Sequence, residues 1–153
     1  MEKIEVGKKA PDFAALDAEG KLYKLEDFKG KKLVLFFYPK DMTPGCTNQV
    51  CNLRDNYEAL QEKGINLLGV SMDDKERHKK FVSKHDLPFP LLEDPDLKIL
   101  KDYGVWGPKK FMGKEYEGTH RTTFLIDEDG MVVHRIDKVK TKDHAAQILE
   151  FWK

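Results

Sequence analysis

Leu33-Val34-Leu35-Phe36-Phe37-Tyr38 is the longest nearly unbroken apolar run in the chain, the pattern of a strand covered on both faces. Cys46, Val50, Leu53, Tyr57 and Leu60 follow at offsets 0, 4, 7, 11 and 14, which predicts one helix with a single buried face. Gly64 supplies its C-terminal stop. Cys51, Asp55, Glu58 and Glu62 line the opposite, polar stripe, so Cys46 is expected to look inward and Cys51 outward. Ile65 to Met72 reads as a second strand, and Asp73-Asp74 caps a helix running to about His85. Pro88 and Pro90 bracket a short strand near Leu91-Leu92, and Asp94-Pro95 starts a short helix carrying Leu97, Leu100 and Tyr103.

At the N-terminal side, Phe13 to Leu16 and Lys21 to Leu25 flank Asp17-Ala18-Glu19-Gly20, a β-hairpin signal. Gly104 to Gly118 is expected to be a long loop containing Trp106. Thr122 to Ile126 and Met131 to Arg135 form a second hairpin around Asp127-Glu128-Asp129-Gly130, and Asp143 to Phe151 closes the chain as a helix. Strands alternating with helices, then a hairpin and a last helix, predict an α/β sandwich with a mixed central sheet. With no repeat, low-complexity stretch or linker, residues 1–153 are expected to form one domain.

Charge narrows the function classes. Twenty-seven basic and 27 acidic side chains balance to zero, so neither a nucleic-acid footprint nor a membrane-surface patch is implied. Met1 to Lys9 lacks the apolar core of a leader, and no apolar run approaches membrane-spanning length, so a cytoplasmic protein is expected. Only four of the basic residues are arginines, Arg54, Arg77, Arg121 and Arg135. The five histidines show no ligand spacing with the cysteines, and neither a metal nor a cofactor is expected.

Chemistry concentrates after the first strand. In Pro39-Lys40-Asp41-Met42-Thr43-Pro44-Gly45-Cys46, Thr43 suits an N-cap and Pro44 the first helical position, where no amide donor is missed. A cysteine in that first turn faces unpaired N–H groups and the positive end of the helix dipole, both of which favour the reactive thiolate. Cys51 is the only other cysteine. Two such thiols make redox chemistry the leading hypothesis.

Pro39…Thr43…Cys46 spells P-x-x-x-T-x-x-C, and the run from Tyr38 to Thr47 closely resembles the active-site loop of the peroxiredoxins. Cys51 in the same helix is similar to the bacterioferritin comigratory protein, or peroxiredoxin Q, branch. The resemblance extends through Ala10-Pro11-Asp12-Phe13 and Trp106-Gly107 to His120-Arg121-Thr122-Thr123-Phe124, covering essentially the whole chain. It implies a thioredoxin-like fold with an N-terminal β-hairpin extension, and a thiol peroxidase free of cofactor and metal. Its site residues would be Cys46 as attacking thiol, Cys51 as resolving thiol, and Thr43 and Arg121 as groups that hold the peroxide and the charge. Pro39 and Gln49 take supporting roles, Gln49 standing where many relatives carry an acid.

The implied partners are a hydrogen peroxide or organic hydroperoxide substrate and thioredoxin or a similar dithiol. A monomer is expected, with a dimer as the alternative. Helical geometry separates the Cα atoms of Cys46 and Cys51 by roughly 8.6 Å, beyond the ~7 Å ceiling for a disulfide. Bridging them therefore requires the first turns of the helix to unwind. A protein disulfide oxidoreductase is the first rival, disfavoured because Cys46 and Cys51 lack C-x-x-C spacing. A non-enzymatic redox sensor or holdase is the second.

Overall fold

A computed structural model describes residues 4–152. Met1 to Lys3, part of the segment read above as lacking a leader, lie outside the described residues, as does Lys153. The central sheet has five strands in the order β5-β4-β3-β8-β9, where β3 is Lys32–Phe37, β4 Ile65–Ser71, β5 Leu91–Glu93, β8 Thr122–Ile126 and β9 Val132–Ile136. β3 pairs in parallel with β4 and antiparallel with β8, so the sheet is mixed, as expected.

The apolar run at β3 divides between two cores. Leu33, Leu35 and Phe37 point to one face, where Phe13, Leu25, Ile99, Tyr103 and Phe124 pack. Val34, Phe36 and Tyr38 point to the other, against Cys46, Val50, Leu53, Leu60, Phe81 and Ile148. That alternation is the period-2 geometry of a strand, and it explains why the run reads as continuously apolar.

Helices α1 (Pro44–Asp55), α2 (Tyr57–Glu62), α3 (Lys75–His85) and α5 (His144–Phe151) contribute to the second core. The N-terminal hairpin, β1 (Ala14–Leu16) with β2 (Leu22–Lys24), and the short α4 (Lys98–Asp102) lie against the first. The hairpin turn is held by the Asp17 carboxylate, which accepts from the backbone of Glu19 and Lys21.

Two expectations are corrected. The single helix expected from Cys46 to Gly64 is interrupted at Asn56, whose backbone leaves the helical region at φ −111°, ψ 11°. The Asn56 side chain donates to the Asn52 carbonyl at 2.8 Å, sharing that acceptor with its own backbone N–H at 3.2 Å. The segment Gly104 to Gly118 is not a loop. It carries β6 (Trp106–Phe111) and β7 (Lys114–Thr119), an antiparallel pair turned at Met112 and Gly113, both at positive φ. Most of its side chains are exposed, including Phe111, Met112 and Tyr116, so no buried face imposed an alternating pattern.

His144, at the start of α5, is fully buried. Its Nδ1 faces the Gln147 Oε1 acceptor at 2.8 Å and therefore carries the proton, which leaves Nε2 to accept from the Thr123 hydroxyl at 2.9 Å. Burial lowers its pKa from the ordinary 6.5 to about 4, partly opposed by the Gln147 hydrogen bond and assisted by the Arg121 charge. The unfolded chain therefore binds a proton at His144 that the folded one refuses. The stability this neutral histidine preserves is intact above pH 6.5 and falls by about 3 kcal/mol as pH drops to 4. Urea unfolding of His144→Gln is expected to lose that share of the acid dependence. An unchanged pH slope would show that the histidine is not the titrating group.

Candidate active site

The loop between β3 and α1 is shaped by one buried aspartate. Asp41 is fully buried and uses every polar atom it has. Its carboxylate accepts from the Tyr38 hydroxyl and lies 2.6 Å from His78 Nδ1, its backbone N–H donates to Asp73 Oδ2, and its carbonyl accepts from Arg77 Nη2. His78 Nε2 faces the Leu92 carbonyl at 3.1 Å and must be the donor there, so one proton is shared between Nδ1 and Asp41. Burial and the facing Asp41 charge raise the Tyr38 pKa well above its usual value, which keeps the hydroxyl a donor.

This network ties the loop to the start of α3. It overdetermines a backbone that includes Met42 at φ 64°, a left-handed conformation unfavourable for a side chain of that size. Arg77 adds an ion pair to Asp73 at 3.0 Å.

Pro44 opens α1 as expected, but Thr43 does not cap it with its side chain. The hydroxyl donates back to the Lys40 carbonyl at 2.8 Å. The left-handed Met42 between them closes this small ring, and the Thr43 oxygen keeps its lone pairs free to accept. Pro39, half-buried, begins the same loop.

Cys46 is fully buried on the inner face of α1. Arg121 reaches it from the two-residue link between β7 and β8. That link is fixed by His120, whose N–H donates to the Val105 carbonyl at 2.7 Å, and by the Thr122 hydroxyl on the His120 carbonyl. Arg121 Nη2 lies 3.2 Å from Cys46 Sγ and Nη1 donates to Gln49 Oε1. Gln49 is itself fully buried, and its amide nitrogen has no partner among the described residues.

Gly45 makes room for this arrangement. A Cβ there would meet Arg121 Nη2 at 3.3 Å, tighter than ordinary contact. A second cation, Lys109 on β6, was not singled out from the sequence because its segment reads as loop. Burial and the nearby Arg121 lower its pKa, and the facing Cys46 raises it in part; its Nζ donates to the Thr119 carbonyl.

Four of the expected residues, Thr43, Cys46, Gln49 and Arg121, thus meet at one helix N-terminus. Cys51 does not, and both cysteines are free thiols. Cys51 is half-buried rather than fully outward, because the end of α3 places His85 Nδ1 3.6 Å from its sulfur, while Asp55, Glu58 and Glu62 of the same stripe are exposed. A helical wheel cannot register a neighbour from elsewhere in the chain.

No group of His, Cys, Asp and Glu suited to a metal occurs among the described residues, and no described helix is long and apolar enough to cross a membrane. What remains is a buried thiol, a guanidinium in direct contact with it and a loop preorganised around both.

The AhpC/TSA family profile matches residues 6–135. The chain belongs to this family, among the peroxiredoxins. Peroxiredoxin Bcp of Bacillus subtilis is 50% identical over 147 residues, covering 96% of this chain and 94% of that protein. Peroxiredoxin Bcp of Escherichia coli K12 is 44% identical over 153 residues, covering 100% and 98%. Among solved structures, the bacterioferritin comigratory protein of Xanthomonas campestris superposes with a TM-score of 0.89 at 32% identity over 97% of each chain. A Xylella fastidiosa PrxQ superposes at 0.91 with 27% identity, covering 99% of this chain and 96% of that one. Membership makes this peroxiredoxin a thiol peroxidase, an oxidoreductase on the thioredoxin-like fold expected from its sequence.

Proposed function

We propose that this peroxiredoxin reduces hydrogen peroxide and organic hydroperoxides through Cys46, resolves the oxidised sulfur with Cys51 of the same helix, and is reset by thioredoxin or a similar dithiol. The observation that carries the reading is Arg121 Nη2 at 3.2 Å from the Cys46 sulfur in the first turn of α1. A guanidinium stays protonated and places a fixed positive charge beside that sulfur. Organic hydroperoxides are included because the similar Xanthomonas campestris protein is described by its alkyl peroxide reduction activity.

In the first step the Cys46 thiolate attacks the terminal oxygen of ROOH. The S–O bond forms as the O–O bond breaks, giving Cys46 sulfenic acid and RO⁻, which takes a proton to leave as ROH. Arg121 stabilises the charge that moves from sulfur to the departing oxygen. Thr43 Oγ1, whose own proton is held by Lys40, accepts from the peroxide O–H. Gln49 orients Arg121, and Pro39 sets the entry of the loop. Because Cys46 has no exposed surface, peroxide enters when side chains at the loop mouth shift.

In the second step Cys51 displaces hydroxide from the sulfenic sulfur, forming the disulfide and water. The structure favours a particular region for the unwinding this needs. The C-terminal half of α1 is tethered: the Asn52 side chain donates to the Lys142 carbonyl and accepts from the Ala145 N–H, while Arg54 Nη1 donates to the His85 carbonyl. The turns from Pro44 to Val50 have no comparable side-chain tether to α3 or α5 among the described residues. Those turns unwind and carry Cys46 towards Cys51. The cytoplasm is the setting, since its dithiol systems keep thiols reduced between cycles.

Cys51→Ser tests the resolving role. One equivalent of peroxide is expected to leave the parent two hydrogens lighter by intact mass, and the variant one oxygen heavier. Over-oxidation to sulfinic acid then rises with peroxide dose in the variant. If the variant cycles with thioredoxin as fast as the parent, Cys51 is not the resolving thiol.

A further inference from the structure

We infer that His85 is the acid–base partner of Cys51: it takes the Cys51 proton when that thiol attacks the oxidised Cys46, and returns a proton when the disulfide is reduced. The inference rests on the resolving role of Cys51 proposed above and adds a residue to that step. An unassisted thiol is only a few per cent thiolate at pH 7, so a resolving cysteine without help is a slow nucleophile.

His85 meets the geometric requirement. Its Nδ1 lies 3.6 Å from Cys51 Sγ, within hydrogen-bonding reach for sulfur. The ring is held edge-on against Phe81 with centroids 5.4 Å apart, and its backbone carbonyl accepts from Arg54 Nη1 at 2.8 Å. Both holds lie outside the segment that must unwind, so the pair persists while Cys46 approaches. The charges around it are mixed. Lys84 and the Arg54 guanidinium face the imidazole, while Asp55 and Asp86 lie close to Arg54. Partial burial first, then Lys84 and Arg54, lower the His85 pKa from its ordinary value, so the ring is neutral at pH 7 with a lone pair to accept a proton.

The step balances. Cys51 S–H gives its proton to His85 Nδ1, and the thiolate sulfur bonds to the Cys46 sulfenic sulfur. Hydroxide leaves and takes the His85 proton to become water. Cys51 sulfur is oxidised and Cys46 sulfur is reduced to the disulfide level. On reset, the external dithiol supplies two electrons and two protons, and one of those protons passes through His85 Nδ1 to Cys51 as it departs.

The experiment follows disulfide formation by acid quench, alkylation and intact mass after one equivalent of hydrogen peroxide. It compares the parent, His85→Asn and His85→Phe between pH 6 and 9. Asn keeps a polar group near Nδ1 but cannot accept a proton; Phe keeps the ring packing on Phe81. The ratio of the disulfide step to the peroxide step is expected to fall about tenfold at pH 7 in both variants. The gap should close by pH 9, where the thiol ionises unaided. Parent-like ratios across the range, or a loss that stays constant with pH, would overturn the assignment. If the parent itself forms no Cys46–Cys51 disulfide, the resolving role fails. The pair is then judged by iodoacetamide alkylation of Cys51 at pH 7 in the Cys46→Ser background. That reaction should be several-fold faster with His85 in place than in the double variant that also carries His85→Asn, and equal rates would dismiss the pair.

Discussion

Cys46→Ser is expected to reduce peroxide turnover by about 10⁴-fold or more while leaving the fold in place. In the proposed mechanism the sulfur is the attacking atom, and a serine hydroxyl in the same place stays protonated and unreactive towards the O–O bond. The site is fully buried between α1 and β3, so the variant loses some packing volume, but the smaller oxygen can still accept from Arg121 Nη2. A destabilisation of about 1 kcal/mol, or a Tm shift within about 4 °C, is the corresponding expectation. Peroxide consumption coupled to a dithiol, measured beside thermal unfolding, checks both halves. A folded serine variant that turns over near the parent rate would remove Cys46 from the mechanism.

Arg121→Gln is expected to cost about 10²–10³-fold in the second-order rate with peroxide, the usual loss when one charged donor leaves a developing anion. Arg121 serves two ends at once, since Nη2 faces the thiol and Nη1 is held by Gln49. Its first contribution, a fixed charge beside the attacking sulfur, is read as any shift of the Gln variant's rate profile to higher pH. Its second contribution, to the departing oxygen, persists where every thiol is ionised. The two separate in a pH profile: a variant that catches up with the parent at alkaline pH lacks only thiolate supply, whereas a gap that remains measures transition-state stabilisation. Arg121→Lys should recover part of the rate, because a point charge cannot hold Gln49 and the reacting atoms together as the planar fork does. Equal plateaus for parent and Gln variant would confine Arg121 to the ionisation of the thiol.

The parts of the fold legible in the sequence were those whose burial leaves a periodic trace. From Leu33 onward β3 is apolar because both of its faces are covered, and the inner stripe of α1 repeats at helical spacing because it rests on one core. The β6–β7 hairpin left no such trace, since most of its side chains face solvent and nothing selects an alternating pattern. The break at Asn56 turned on one side-chain hydrogen bond that composition does not announce. At the site, Cys46 was legible from its place in the first helical turn, whereas the roles expected of Thr43 and Arg121 came only through resemblance, Arg121 lying 75 residues from the sulfur it touches. The Asp41–His78 pair spans 37 residues and Cys51–His85 spans 34. Isolated polar residues of this kind carry no local signal; only the folded sheet brings them together.

The tethers at the two ends of the catalytic segment also bear on tempo. Upstream, Asp41 is locked to α3; downstream, Asn52 and Arg54 are locked to α5 and α3. In the proposed unwinding the stretch between them is short and tied at both ends, so its return after reduction would be a local closure rather than a refolding of the domain. Loops of about 10 residues close in roughly 10–100 ns, and helical turns re-form within about a microsecond. Turnover numbers of enzymes commonly lie at about 1–10³ s⁻¹. Rewinding is thus faster than any plausible catalytic cycle by a factor of about a thousand or more. In the proposed cycle rewinding therefore does not limit turnover, which leaves unwinding, bond making at sulfur and the arrival of the reductant to set the pace.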